Sequence, residues 1–217
     1  MRTVFDDELT ELNRLFSQLG RLTNEAIYKS IKAFVNHDKK LAQTVIEEDY
    51  RINDLEREID MFCNELIALQ APNAKDLRRI LTILKASTDL ERMGDHAVSI
   101  SVSTIRVKGT KRNEKIEGLI SQVGEKIKSM GQEIIEAFLN MDVHAARKIA
   151  MRDDEIDYLT RKIRHRAVDQ MMKDTEAVAS ASDYSFVSMY IERIGDYITN
   201  IAEELFYLET GEMKDLN

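Results

Sequence analysis

Two pairs of carboxylates four residues apart stand out in this chain: Glu91 with Asp95 in ERMGDHAVSI, and Glu192 with Asp196 in ERIGDYITNI. At about 100° per residue this spacing stacks both acids of a pair on one helix face, one turn apart. Like charges so placed repel by ~0.2–0.5 kcal/mol per pair, so helix stability alone gives no reason to prefer them. Two readings follow. Hard oxygen donors gathered from several helices suit Mg, Ca, Mn or iron, and carboxylates in helix bundles hold such ions in clusters. Alternatively, the acids form a solvated face, paired with Arg92 and Arg193 and retained from a duplication.

The elements that must position these acids also recur. The two motifs begin 101 residues apart, at 91 and 192, in a chain of 217 residues. FVNHDKKLA at 34–42 resembles FLNMDVHAA at 138–146, and DYRINDLEREI at 49–59 resembles DDEIDYLTRKI at 153–163, both at an offset of 104. A repeat at about half the chain length is the signature of a duplicated module. The expected copies are 1–108 and 113–217, joined across KGTKRN at 108–113, with the shorter offset absorbed near APN at 71–73. One Pro and eight Gly among abundant Ala, Glu, Lys, Leu and Ile favour helix, and no stretch reads as a strand. Sparse punctuation divides each copy into three long helices, expected at 5–36, 38–70 and 74–107, then at 114–140, 142–174 and 176–210. The Asn and Asp residues of NHD and NMD provide the breaks, with Pro72 and Asn73 in the first copy. The predicted fold is all-α: two pseudo-symmetric three-helix bundles, six long antiparallel helices in all.

Helix phase then places the acids. Ile52, Leu55, Ile59, Phe62, Leu66 and Leu69 follow 3-4 spacing as an apolar seam, and Ile156, Leu159 and Ile163 are its counterpart. Ile191, Ile194, Ile198, Ile201 and Leu205 make a core stripe opposite Glu192 and Asp196, so those acids are expected on a convex outer ridge; Leu90, Met93, Ala97 and Ile100 do the same for Glu91 and Asp95. A second acidic row precedes each motif. Asp49, Asn53, Glu56 and Asp60 flank the first seam, and Asp153 and Asp157 flank Ile156. Gly94 and Gly195, each costing about 1 kcal/mol relative to Ala within a helix, point to close approach of a neighbouring helix. His96 lies about 100° round the helix from Asp95 and reads as a surface or packing residue.

Several functions are disfavoured. A formal net charge of −8 argues against general nucleic-acid binding, although RHR at 164–166 is a local basic contact point. The single Cys63 precludes an internal disulfide and a thiolate metal site; beside Phe62 it reads as an inert core thiol. No signal peptide or apolar run of membrane-spanning length is found, so the expected location is the cytoplasm. There is no Walker loop or Gly-x-Ser-x-Gly, and no Glu is followed by His at the spacing used in di-iron bundles. The expectation is that this is not an enzyme. The contrasting reading is a metal-dependent protein that binds or hydrolyses phosphate esters.

The whole chain resembles the PhoU family, on the strength of ERMGDHAVSI, ERIGDYITNIAEE, the DYRIN and DDEID blocks and the duplicated three-helix unit. The family motif of two acids four apart matches Glu91 with Asp95, Asp153 with Asp157, and Glu192 with Asp196; Asp49 with Asn53 is an imperfect fourth. The resemblance implies metal ions on these residues, as iron or zinc clusters or as Mg or Mn. It also implies a regulator that restrains phosphate uptake and phosphate-starvation signalling. Implied partners are the ATPase subunit of the phosphate ABC transporter, a sensor histidine kinase and a second copy in a homodimer, with membrane association only through partners. Asn200 and Glu203 continue the family pattern, whereas the first copy has Ser99 and Val102. With Asn53 in place of an acid as well, the second copy is expected to bind metal more tightly.

Overall fold

In the computed structural model, which describes residues 2–107, 112–212 and 216, the described residues contain helices and connecting turns without a strand. In chain order they are α1 (Arg2–Asn36), α2 (Lys39–Glu48), α3 (Tyr50–Gln70), α4 (Ala74–Arg106), α5 (Glu114–Leu139), α6 (Val143–Ala150), α7 (Asp153–Lys173) and α8 (Val178–Thr210), with a 3₁₀ turn at Thr175–Ala177. The predicted connection across 108–113 falls largely on residues 108–111, which lie outside the described residues. Six rods are present as expected, but the second and fifth are each broken. α2 stops at Glu48 and α3 begins at Tyr50; α6 stops at Ala150 and α7 begins at Asp153.

Local chemistry explains most boundaries. Asp38 accepts hydrogen bonds from the Lys40 and Leu41 amides, Asp142 accepts one from Ala145, and Asn73 accepts from Lys75 and Asp76. These side chains satisfy amides that lack intrahelical acceptors, each worth ~1 kcal/mol. His37 and Met141 take the same left-handed conformation, with φ of 54° and 55°, at equivalent points of the two copies. Weaker signals mark the breaks inside the long rods. At the second one, Arg152 N bonds to Ile149 O at 3.0 Å and Glu155 N to Arg152 O at 3.1 Å, three-residue closures that tighten the chain. Asp153, Asp154 and Glu155 then occupy the first turn of α7, where the positive end of the helix dipole favours acids.

The copies share one continuous core. α3 packs on α1 and α4, α7 packs on α5 and α8, and the copies meet through α1 against α5 and α4 against α8. Phe16 and Phe138 lie 4.6 Å apart between ring centroids across the first contact. Fully buried Leu12, Ile59, Ile83, Ile134, Ile163 and Ile198 illustrate the driving force, about 1.5–3 kcal/mol for each such side chain. Two assigned seam residues are displaced. Cys63, not the half-buried Phe62, enters the core, and Leu69 is 70% exposed at the end of α3. The helix drifts relative to a strict seven-residue repeat, so the core-facing position moves on by one residue toward the helix end.

Candidate functional site

The predicted acids assemble as two clusters, one per copy, each spanning a helix pair. In the first, Asp49, at the break before α3, and Asn53 of α3 face Glu91 and Asp95 of α4. Asn53 Nδ2 donates to Asp49 Oδ2 at 2.9 Å, which turns its amide oxygen inward, where that buried atom has no hydrogen-bond partner. Glu56 joins from the next turn, held by Thr88 Oγ1 at 3.3 Å. Burial pushes the Glu91 carboxyl up, and the charges of Asp95, Glu56 and Asp49 push it further. Asp49 is also raised, by burial and then Asp95, against the opposing hydrogen bond from Asn53.

In the second cluster, Asp153 and Asp157 of α7 face Glu192 and Asp196 of α8. Asp153 is only 4% exposed. Asp157 is raised first by burial and then by Glu192, and Asp196 by burial, Asp157 and Glu192. These mutual shifts locate the carboxylates in one another's electric field, an arrangement that a cation would relieve. The placement corrects the convex-ridge expectation. Asp95 and Asp196 are exposed, but Asp49, Asp157, Glu91 and Glu192 are half-buried and Asp153 is buried, so the acids descend into a seam between helices.

The motif glycine makes that seam possible. A Cβ on Gly195 would lie 2.4 Å from Asp153 Oδ1, and one on Gly94 would lie 3.2 Å from Ile52 Cδ1 and 3.7 Å from Asp49 Oδ1. Gly195 therefore clears space for the first acid of the preceding helix. Close helix approach and acid placement are one device, since the carboxylate occupies the volume of the missing methyl group.

The copies are not equivalent. Glu192 accepts a hydrogen bond from Thr160 Oγ1 at 2.9 Å and is ion-paired with Arg164. At the offset of 104, Thr160 corresponds to Glu56 and Arg164 to Asp60. The first cluster thus has an additional acid, Glu56, where the second has a hydroxyl, and it has Asp60 at the position of the cation that pairs with Glu192. Glu203, expected to extend the second motif, accepts a hydrogen bond from Leu216 N at 3.0 Å.

In kind, the donors fit a hard cation: carboxylates and an inward amide oxygen. Among the described residues no three His, Cys, Asp or Glu side chains converge as a ready-made ligand set. His96 stays out of either set, stacked between Tyr190 and Tyr197 at 5.7 and 5.8 Å, where it joins α4 to α8. Cys63 is fully buried and its thiol is pushed up to about 12 by burial and then Asp60, as expected of an inert core residue.

Sequence reasoning missed a second polar centre, Glu117 on α5. It is 4% exposed; Tyr184 Oη donates to it at 2.8 Å, Arg112 at 2.8 Å, and His37 Nε2 lies 2.9 Å away. Burial would raise this carboxyl, but the hydrogen bonds from Arg112, His37 and Tyr184 hold it below the usual range. Nearby, Arg106 of α4 pairs with the buried Asp183 of α8. Both contacts tie the first copy to the second. The only advance signal was a Glu beside the buried Ile116, just after the basic KGTKRN segment.

The fold and paired acidic seams define a duplicated, all-helical scaffold rather than a loop-built pocket. The PhoU domain model matches it twice, over residues 16–104 and 120–205, and the chain belongs to the PhoU family. A relative from Clostridium acetobutylicum, named phosphate-specific transport system accessory protein PhoU homolog, is 36% identical over the whole chain and 99% of its own length. A homolog of the same name from Streptococcus pneumoniae serotype 4 is 36% identical over the full length of both chains. The crystal structure of the phosphate transport system regulatory protein PhoU from Streptococcus pneumoniae superposes with a TM-score of 0.90, covering 97% of this chain and 99% of that one. PhoU from Pseudomonas aeruginosa, 31% identical, gives a TM-score of 0.91 over 96% of this chain and 100% of its own.

Proposed function

We propose that this protein is a non-enzymatic regulator of phosphate homeostasis, which restrains high-affinity phosphate uptake and phosphate-starvation signalling from the cytoplasmic side. It would do so as an adaptor between the ATPase subunit of a phosphate ABC transporter and a sensor histidine kinase. The supporting observation is the full-length likeness to relatives named as accessory proteins of phosphate-specific transport, combined with chemistry confined to two helix-pair seams. None of the described helices is long and apolar enough to cross a membrane, so partners would supply the membrane contact.

The seams would serve the adaptor as cation-dependent braces. Asp49, Asn53, Glu91 and Asp95 would hold one set of ions, and Asp153, Asp157, Glu192 and Asp196 the other. A bound iron, zinc, manganese or magnesium ion would supply the positive charge these carboxylates lack. The protein's own contribution is to place them: Gly94 and Gly195 admit the neighbouring helix, Asn53 presents an amide oxygen, and Arg164 holds Glu192 when no ion competes.

The test combines elemental analysis of protein purified without chelator with capture of the transporter ATPase, using wild type, Glu91→Ala/Asp95→Ala and Glu192→Ala/Asp196→Ala. The expected result is cation-dependent ATPase capture, weakened in both variants and without turnover of phosphate esters. Capture of neither ATPase nor kinase would overturn the adaptor reading. Metal-dependent ester hydrolysis lost in Asp196→Ala would replace it with a catalytic one.

A further inference from the structure

We infer that copies of this chain associate head to tail, with the α3 edge of one molecule docked against the α7 edge of the next. The two helices are equivalents in the duplication and are each 21 residues long. They lie on opposite sides of the molecule, since each packs only against helices of its own copy. Beyond the acidic start of α7 (Asp153, Asp154, Glu155 and Asp157), which makes that helix neutral as a whole, their charges have diverged to opposite sign. Residues 54–69 carry Asp54, Glu56, Glu58, Asp60 and Glu65 against Arg57, a net of −4; the equivalent residues 158–173 carry Arg161, Lys162, Arg164, Arg166 and Lys173 against Asp169, a net of +4. In a chain of net charge −8, this basic edge is a local reversal of sign.

Both edges expose apolar side chains beside these charges. Tyr50, Met61 and Leu69 on α3, and Tyr158, Val168 and Met172 on α7, are each at least 50% exposed. Helix phase groups them with Asp54, Glu58 and Glu65 against Arg57 on the first edge, and with Arg161, Lys162, Arg166 and Lys173 against Asp154 and Asp169 on the second. Among the described residues, Glu58 and Glu65 make no ion pair, nor do Arg161, Lys162, Arg166 and Lys173. Arg161 donates to the Asp157 carbonyl at 3.2 Å and Lys162 lies over the Tyr158 ring, contacts that leave both charges unneutralised, and the matching acidic, apolar edge is present on every other copy. Pairing α7 with a second α7 would instead oppose like charges.

Contact between two different faces does not close on itself at the dimer, so it yields chains of copies unless the rotation happens to form a ring. A single helix edge is a small interface, and its attraction is electrostatic, so association should be weak, concentration-dependent and reversed by salt.

Sedimentation of the full chain tests this at low salt and at about 0.5 M salt, where charge screening acts over only a few ångström. Mass should rise with concentration beyond the dimer at low salt and fall to the monomer at high salt. Arg161→Glu/Lys162→Glu should be monomeric, as should Glu58→Lys/Glu65→Lys, and an equimolar mixture of the two should recover association. Recovery on mixing separates edge pairing from misfolding, since two misfolded variants would not restore each other. A monomer under all conditions would overturn the inference, as would association indifferent to both reversals. Binding of a monomeric wild type to vesicles containing anionic lipid through Arg161 and Lys162 would also overturn it, assigning the basic edge to a membrane surface.

Discussion

Replacing either motif glycine by alanine should separate the two copies by the sign of its effect. Each substitution relieves a mid-helix glycine and so gains about 1 kcal/mol of helix propensity. At position 94 the new methyl would meet Ile52 Cδ1 at 3.2 Å, a flexible side-chain end that can give by a few tenths of an ångström, so Gly94→Ala should be neutral to stabilising by up to ~1 kcal/mol. At position 195 the methyl would lie 2.4 Å from the carboxylate oxygen of Asp153, which is buried and short, with Ile156 Cγ2 a further 3.4 Å contact. Overpacking of this kind costs ~1–3 kcal/mol, so Gly195→Ala should be destabilising by up to ~2 kcal/mol after the propensity gain. Urea unfolding of both variants measures this directly, and Gly195→Ala/Asp153→Ala should show a favourable coupling of ~1–2 kcal/mol because the clash partner is gone. Equal stabilisation by both glycine substitutions would refute the argument, as it would mean that Asp153 is not held against Gly195.

Stability should pass through a maximum at mildly acidic pH. Asp89, raised to about 6 by burial, and the raised Asp49, Glu91, Asp157 and Asp196 penalise the folded state when ionised, so stability should rise as pH falls through their folded pKa values. Asp89 alone accounts for roughly 1–3 kcal/mol of this gain. Below about pH 4.5 the trend should reverse as Glu117, held low in the fold, is protonated; thermal melts from pH 4 to 8 check both limbs, and a steady fall in stability from pH 7 to 5 would contradict the first. Glu117→Ala should cost about 2 kcal/mol, mainly because the Tyr184 hydroxyl, still accepting from the Asn113 amide, loses the acceptor for its own hydrogen, with a change under 0.5 kcal/mol in urea unfolding counting against the hub. Arg164→Ala frees Glu192, so manganese titration of that variant on a Glu91→Ala/Asp95→Ala background should give tighter binding at the second seam than the same background with Arg164 intact. Cys63 should resist thiol reagents in the native protein and react at the rate of global unfolding.

The repeat, the helical class, the acid pairs and most caps were legible because they depend on neighbours along the chain. A four-residue spacing places Glu192 and Asp196 together on any helix, and Asp38, Asn73 and Asp142 cap through amides two or three residues away. Ile191 and Ile198 likewise announce a buried stripe through their period alone. Only the tertiary structure decided what the acids face. The breaks before Tyr50 and Asp153 bring Asp49 and Asp153 beside Gly94 and Gly195, converting an inferred ridge into two seams. The Arg164 partnership and the Glu117 centre were hidden for the same reason. Each joins residues at least 28 positions apart or across copies, apart from the short reach of Arg112, and helix phase says nothing about which neighbouring rod a side chain will meet.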